Sequence, residues 1–98
     1  MTHFLYKFVP RPDFPTTMTD AEAAIMREHV AYWQTLADNG KAVAFSPVAD
    51  PAGWWGVAIV EAETADEVQA IRESDPVVKS DLGPVDIYPM PDAIIRRP

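Results

Sequence analysis

The sequence predicts an α+β fold in the order β-α-β-β-α-β, with a four-stranded antiparallel sheet and both helices on one of its faces. Three observations carry this. Two capping boxes, Thr19-Asp20-Ala21-Glu22 and Thr64-Ala65-Asp66-Glu67, open two helices. Four short apolar runs, rich in aromatic and β-branched residues and bounded by proline, glycine or turn residues, read as strands. Their alternation along the chain, under the chirality and connection rules, gives the ferredoxin-like split-βαβ arrangement.

Phe4-Leu5-Tyr6-Lys7-Phe8-Val9 is the first strand, stopped at Pro10. The segment Pro10-Arg11-Pro12-Asp13-Phe14-Pro15 is expected to be a loop, because three prolines remove donors and fix φ. Thr19 caps a helix whose apolar stripe runs Ile25, His29, Tyr32, Leu36, with Trp33 beside it. Asn39-Gly40 ends the helix, the glycine supplying a left-handed position. Residues 41–45 form the second strand, stopped by Ser46-Pro47. Residues 54–62 form the third and longest, with apolar residues on both parities. Thr64 opens a short helix with Val68 and Ile71 inward, which Pro76 terminates. Val85-Asp86-Ile87-Tyr88 is the fourth strand. Pro84 and Pro89 bracket it, which suits an edge position. Residues 91–98 read as an extension or arm.

Strand 1 carries Phe4, Tyr6 and Phe8 on one side and Leu5 and Val9 on the other, and strand 3 is likewise two-sided. Two helices cover only one sheet face. A bare apolar second face would be a large exposed patch. A second copy packed sheet to sheet is the simplest cover, so a homodimer is expected.

The 98 residues and 10.9 kDa make one domain, spanning 1–98. Size scaling gives a folded surface of roughly 5,600 Å², about 65% of the unfolded surface being buried. Eight Lys and Arg stand against fifteen Asp and Glu, a net charge of −7. Such a chain has no general attraction for phosphate backbones or anionic lipid, so neither nucleic acid nor a membrane is an expected partner. The absence of cysteine excludes disulfides, thiolate catalysis and cysteine-ligated metal. The first residues lack the pattern of a signal peptide, and a soluble cytoplasmic protein is expected. The two histidines, His3 and His29, stand far apart with no metal-ligand spacing, and there is no glycine-rich phosphate loop or GxSxG elbow. No metal and no cofactor are expected.

His29 is the informative residue, a polar ring on an apolar stripe. One reading is a core histidine satisfied by a backbone carbonyl. The other is a general acid or base, whose second ring nitrogen needs an orienting partner. Asp75, in Glu73-Ser74-Asp75-Pro76-Val77, is the candidate partner, although Asp before Pro is also an ordinary turn residue. Ser46 can bind a ligand or begin a turn. Tyr6 can donate a phenolic proton or pack in the core. Arg11 can meet an anionic substrate or be solvated. The Trp54-Trp55 pair reads as packing or interface, with one ring able to wall a pocket.

The order and spacing of several short motifs resemble the YCII-related family of small dimeric ferredoxin-like proteins. They are Arg27-Glu28-His29-Val30-Ala31-Tyr32-Trp33, Asp38-Asn39-Gly40-Lys41, Phe45-Ser46-Pro47, Ser74-Asp75-Pro76-Val77-Val78 and Val85-Asp86-Ile87-Tyr88-Pro89. The resemblance implies a dimeric α+β barrel and makes His29 and Asp75 the family's characteristic His and Asp. A branch of that family looks like a dehydrochlorinase of hydroxyquinol-type aromatics. Related barrels include cofactor-free monooxygenases and muconolactone isomerases. Ser46 stands where the family usually has glycine, and the first loop is unusually rich in proline.

The expected function is a small cofactor-independent lyase or isomerase acting on a modest organic molecule. His29 would transfer a proton, Asp75 would hold its ring, and Tyr6, Ser46 or Arg11 would orient the ligand. One positioned acid–base group supplies about 10²–10⁴-fold. The alternative is a non-enzymatic dimer that binds a small ligand, or an accessory subunit with a relic dyad. An open cavity beside His29 favours the enzyme; a ring sealed by side chains favours the alternative.

Overall fold

The structure is a computed structural model and describes residues 2–96. The chain runs β1 (Thr2–Phe8), α1 (Phe14–Thr17), α2 (Asp20–Asp38), β2 (Ala42–Val48), β3 (Trp55–Ala62), α3 (Ala65–Ser74), α4 (Pro76–Lys79) and β4 (Val85–Met90). The strands form one antiparallel sheet in the order β2-β3-β1-β4. This is the expected ferredoxin-like arrangement, with β4 at an edge.

Side chains alternate across a strand, so register decides what meets in the core. Phe4 faces Val60, Tyr6 faces Ala58 and Phe8 faces Gly56 across the β1–β3 pair. Bulk on β1 therefore meets small residues on β3. A Cβ at position 56 would lie 3.6 Å from the Phe8 ring, so glycine there leaves that ring its space. Trp33 and Leu36 of α2, Val68 of α3 and Val77 of α4 close the core over this same face. The opposite face presents Leu5, Val57, Ile59 and Tyr88, and no helix covers it.

Thr19 forms the full capping box: its Oγ1 accepts from Glu22 N while Glu22 Oε1 accepts from Thr19 N. Thr64 caps one way only: its Oγ1 accepts from Glu67 N, while the Glu67 carboxylate accepts from Lys41 Nζ and returns no bond to Thr64 N. Gly40 takes φ +83°, the left-handed conformation that ends α2.

The structure corrects the boundaries at prolines. β2 runs through Ser46-Pro47 to Val48, and β4 runs through Pro89 to Met90. Both are edge strands, so a residue without an N–H can point its missing donor outward. The proline loop is not wholly irregular, because Pro15 starts the short helix α1 at a position where its N–H is not needed. Pro76 ends α3 and at once starts α4. β1 stops one residue short of Val9, whose N–H donates to Pro84 O instead. The last two residues of the expected extension lie outside the described residues. No described helix is long and apolar enough to cross a membrane.

Candidate active site

Asp75 is the C-cap of α3 and the N-cap of α4, and extended backbone at this joint turns its side chain to the core. Its Oδ1 accepts from Val77 N at 3.1 Å, the ordinary capping bond that the Asp-Pro sequence implies. The carboxylate is completely buried and does more than cap. Oδ1 also meets His29 Nδ1 at 2.7 Å, while Oδ2 accepts from Tyr6 O–H at 2.8 Å and Trp33 Nε1–H at 2.9 Å.

These contacts set the charges. Burial alone would raise the Asp75 carboxyl, but the hydrogen bond and charge of His29, then the bonds from Trp33 and Tyr6, outweigh it and hold it below the ordinary carboxylate range. Burial, then the charge of Asp75, pushes the Tyr6 phenol far above its usual value. Tyr6 is thus a permanent donor to an ionised Asp75.

His29 is 3% exposed and lies between aromatic rings, with centroids 5.3 Å from Phe45 and 5.7 Å from Phe8. Phe45 stacks parallel on Trp33 at 5.6 Å, and Trp33 meets Tyr6 edge-on at 4.7 Å. The imidazole is therefore fixed by packing on its sides and by Asp75 at Nδ1. With Asp75 ionised, Nδ1–H donates, and the neutral ring carries its lone pair on Nε2. Nε2 has no hydrogen-bond partner among the described residues, and no buried side-chain nitrogen or oxygen there is left unpaired. Nε2 is thus the ring atom with open space beside it.

His29 lies in the wall of a cavity of about 280 Å³. Phe8 and Phe45 of the sheet, Met26 of α2, and Phe14 and Pro15 of α1 contribute to the lining, with Trp54 at its edge. Among the described residues, His29 is the one titratable side chain in this wall. The proline-rich loop and α1 form one side of it.

Of the sequence candidates, the structure brings together His29, Asp75 and Tyr6. Tyr6 stands behind Asp75 and is not part of the cavity wall. Ser46 is in the wall, with its hydroxyl donating to Pro47 O at 2.8 Å. Arg11 lies outside the wall. Its guanidinium donates to both oxygens of Glu22 at 2.7 and 2.9 Å, bonds Thr17, and covers the Phe14 ring at 5.0 Å. Sequence reasoning missed Trp33, Phe45 and Phe14. Trp33 carried a signal: an indole N–H one turn from His29 on a buried stripe needs an acceptor. His3 lies on the uncovered face of β1, opposite Glu61. Among the described residues, no group of three or more His, Asp or Glu side chains is placed to hold a metal ion.

A family model described as YCII-related domain matches residues 6–91. No curated protein matches the chain. Among solved structures, the chain is similar to 5-chloro-2-hydroxyhydroquinone dehydrochlorinase from Burkholderia phenoliruptrix in complex with 2,5-dihydroxybenzoquinone. The TM-score is 0.66 at 23% identity, covering 88% of this chain and 90% of that one. The two share a fold.

Proposed function

The chain belongs to the YCII-related domain family, and from that premise we propose that it is a small acid–base enzyme of the lyase or isomerase type. The observation that carries this reading is His29, held at Nδ1 by a buried Asp75, without a hydrogen-bond partner at Nε2 among the described residues, and set in the wall of an apolar cavity. A histidine kept only for packing has no reason to face open space. The dehydrochlorinase of the same fold lends support to small-molecule chemistry of the elimination type.

In this reading Nε2 takes a proton from a substrate O–H or C–H. The electron pair left behind moves into the conjugated system. In a lyase it expels a leaving group; in an isomerase it is protonated at another atom by the same His29. The imidazolium formed lies against ionised Asp75, so the charge developed at His29 is matched at 2.7 Å. Tyr6 and Trp33 keep Asp75 in place and ionised through both half-reactions. No metal or cofactor takes part in these steps. The working unit is a homodimer, its sheets packed through the face that carries Leu5, Val57, Ile59 and Tyr88.

The test is His29→Asn, which keeps polarity and approximate size but cannot cycle a proton near neutral pH. The variant is expected to fold and to lose about 10²–10⁴-fold in turnover on an established substrate, with much smaller loss of binding. Wild-type turnover in the variant would replace the enzyme by the non-catalytic binding protein.

A further inference from the structure

We propose that this cavity takes a neutral, mostly apolar aromatic molecule that donates one O–H to His29, and turns away carboxylates. The inference deepens the acid–base reading and rests on it for the role of Nε2.

The first observation is charge. Among the described residues, the cavity wall holds no lysine or arginine. Arg11 is tied to both oxygens of Glu22 on the far side of Phe14, so its charge is already matched. Lys7 lies 4.9 Å over the Trp55 ring, and the same indole donates to Asp50 at 3.0 Å, so that cation stands beside a carboxylate. Asp75 stands behind His29. An anionic ligand would lose water and gain no counter-ion.

The second observation is hydrogen-bond valence. Nδ1 is committed to Asp75, so the neutral ring offers an acceptor at Nε2. That atom requires a donor from the ligand. Away from it the wall is largely apolar, with Phe8, Phe14, Met26, Phe45 and the Trp54 ring, so a charged group placed there is desolvated without a counter-ion. The third observation is shape: flat rings on several sides favour a flat apolar guest.

Three probes that share one ring system separate these terms: 2-naphthol, 2-methoxynaphthalene and 2-naphthoate. Calorimetric titration at pH 8 would give their affinities, and shifts of the His29 ring resonances would locate them. 2-Naphthol is expected to bind beside His29 at least about tenfold more tightly than each of the others, a difference of about 1.4 kcal/mol. Equal or tighter binding of the naphthoate or the methyl ether would overturn the proposal. So would the failure of 2-naphthol to bind at His29.

Val30 lies in the cavity wall and is 52% exposed, so Val30→Arg can place a cation at the rim without disturbing the core. That variant is expected to raise 2-naphthoate affinity by about tenfold or more. No gain would show that charge is not what excludes anions, and would overturn the proposal. Failure here is separable from failure of the acid–base reading. Probe selectivity with undiminished His29→Asn turnover would remove the acid–base role alone. Lost turnover with unselective probe binding would remove the substrate class alone.

Discussion

Asp75 accepts four hydrogen bonds in a site with no exposure, from His29, Tyr6, Trp33 and Val77. Its removal therefore strands several donors at once. Asp75→Ala is expected to cost about 3–5 kcal/mol in urea unfolding, the range for breaking a buried pair from one side. Asp75→Asn is milder but still unfavourable. Either orientation of the amide sets an NH2 against a fixed N–H, that of Val77 or that of the Trp33 indole. The pH dependence has a definite sign. An unfolded Asp titrates near about 3.9, and native Asp75 lies below this. Between the two values the unfolded chain binds more protons, so stability rises with pH through that window, is flat above it, and is lost on acidification. Chemical unfolding measured between about pH 2 and 6 should show this slope in the wild type and a shallower one in Asp75→Asn. Glu22, held at about 2 first by its hydrogen bond from Arg11, and Asp50, lowered by the Ala52 N–H and the Trp55 indole, keep the variant's slope from vanishing.

At the scale of elements, α2 and the loop before it are joined by one side chain. Glu22 closes the capping box with Thr19 and also receives the Arg11 fork. Thr19→Ala should destabilise by about 1 kcal/mol, lowering Tm by about 4–8 °C in calorimetry. Arg11→Ala should act elsewhere, speeding amide hydrogen exchange over residues 10–18 and leaving α2 protected, because it frees the cavity wall and not the helix. Equal exchange in the variant would show that Phe14 alone holds the loop. The two helix N-caps, Asn39-Gly40 and the β1 alternation were legible in the sequence, since each is a local signal read over a few residues. His29 was legible because a polar ring interrupts an apolar stripe. The joining of Asp75 to Tyr6 and Trp33 was not, because those partners lie 69 and 42 positions away and only the packing of α2 and the α3–α4 joint on β1 brings them together. On the helix stripe His29, Trp33 and Leu36 are buried, and Ile25 and Tyr32 are half-buried at its margins, with the Tyr32 hydroxyl on Ile71 O. Pro47 and Pro89 read as strand stops, and edge strands tolerate both.

For the whole molecule, a single chain exposes 6258 Å², more than the roughly 5,600 Å² expected for its mass. Part of that surface is the uncovered sheet face, where Leu5 sits between Ile59 and Tyr88. Covering it with a second copy would need about 800 Å² per partner for a stable interface. Light scattering at micromolar concentration should give about twice the 10.9 kDa chain mass. Ile59→Arg, a charge at the middle of that face, should give a folded monomer, and a wild-type monomer would refute the sheet-to-sheet pairing.

The central claim is that Asp75 holds His29 at Nδ1 and leaves Nε2 to exchange protons with a molecule in the cavity. The most direct measurement is the pair of ring-nitrogen chemical shifts of ¹⁵N-labelled His29, free and with 2-naphthol bound. In the neutral ring the proton is expected on Nδ1, with Nε2 unprotonated and shifting on ligand addition while Nδ1 stays bonded to Asp75. A neutral ring protonated at Nε2, or an Nε2 signal indifferent to a ligand that binds, would contradict the account.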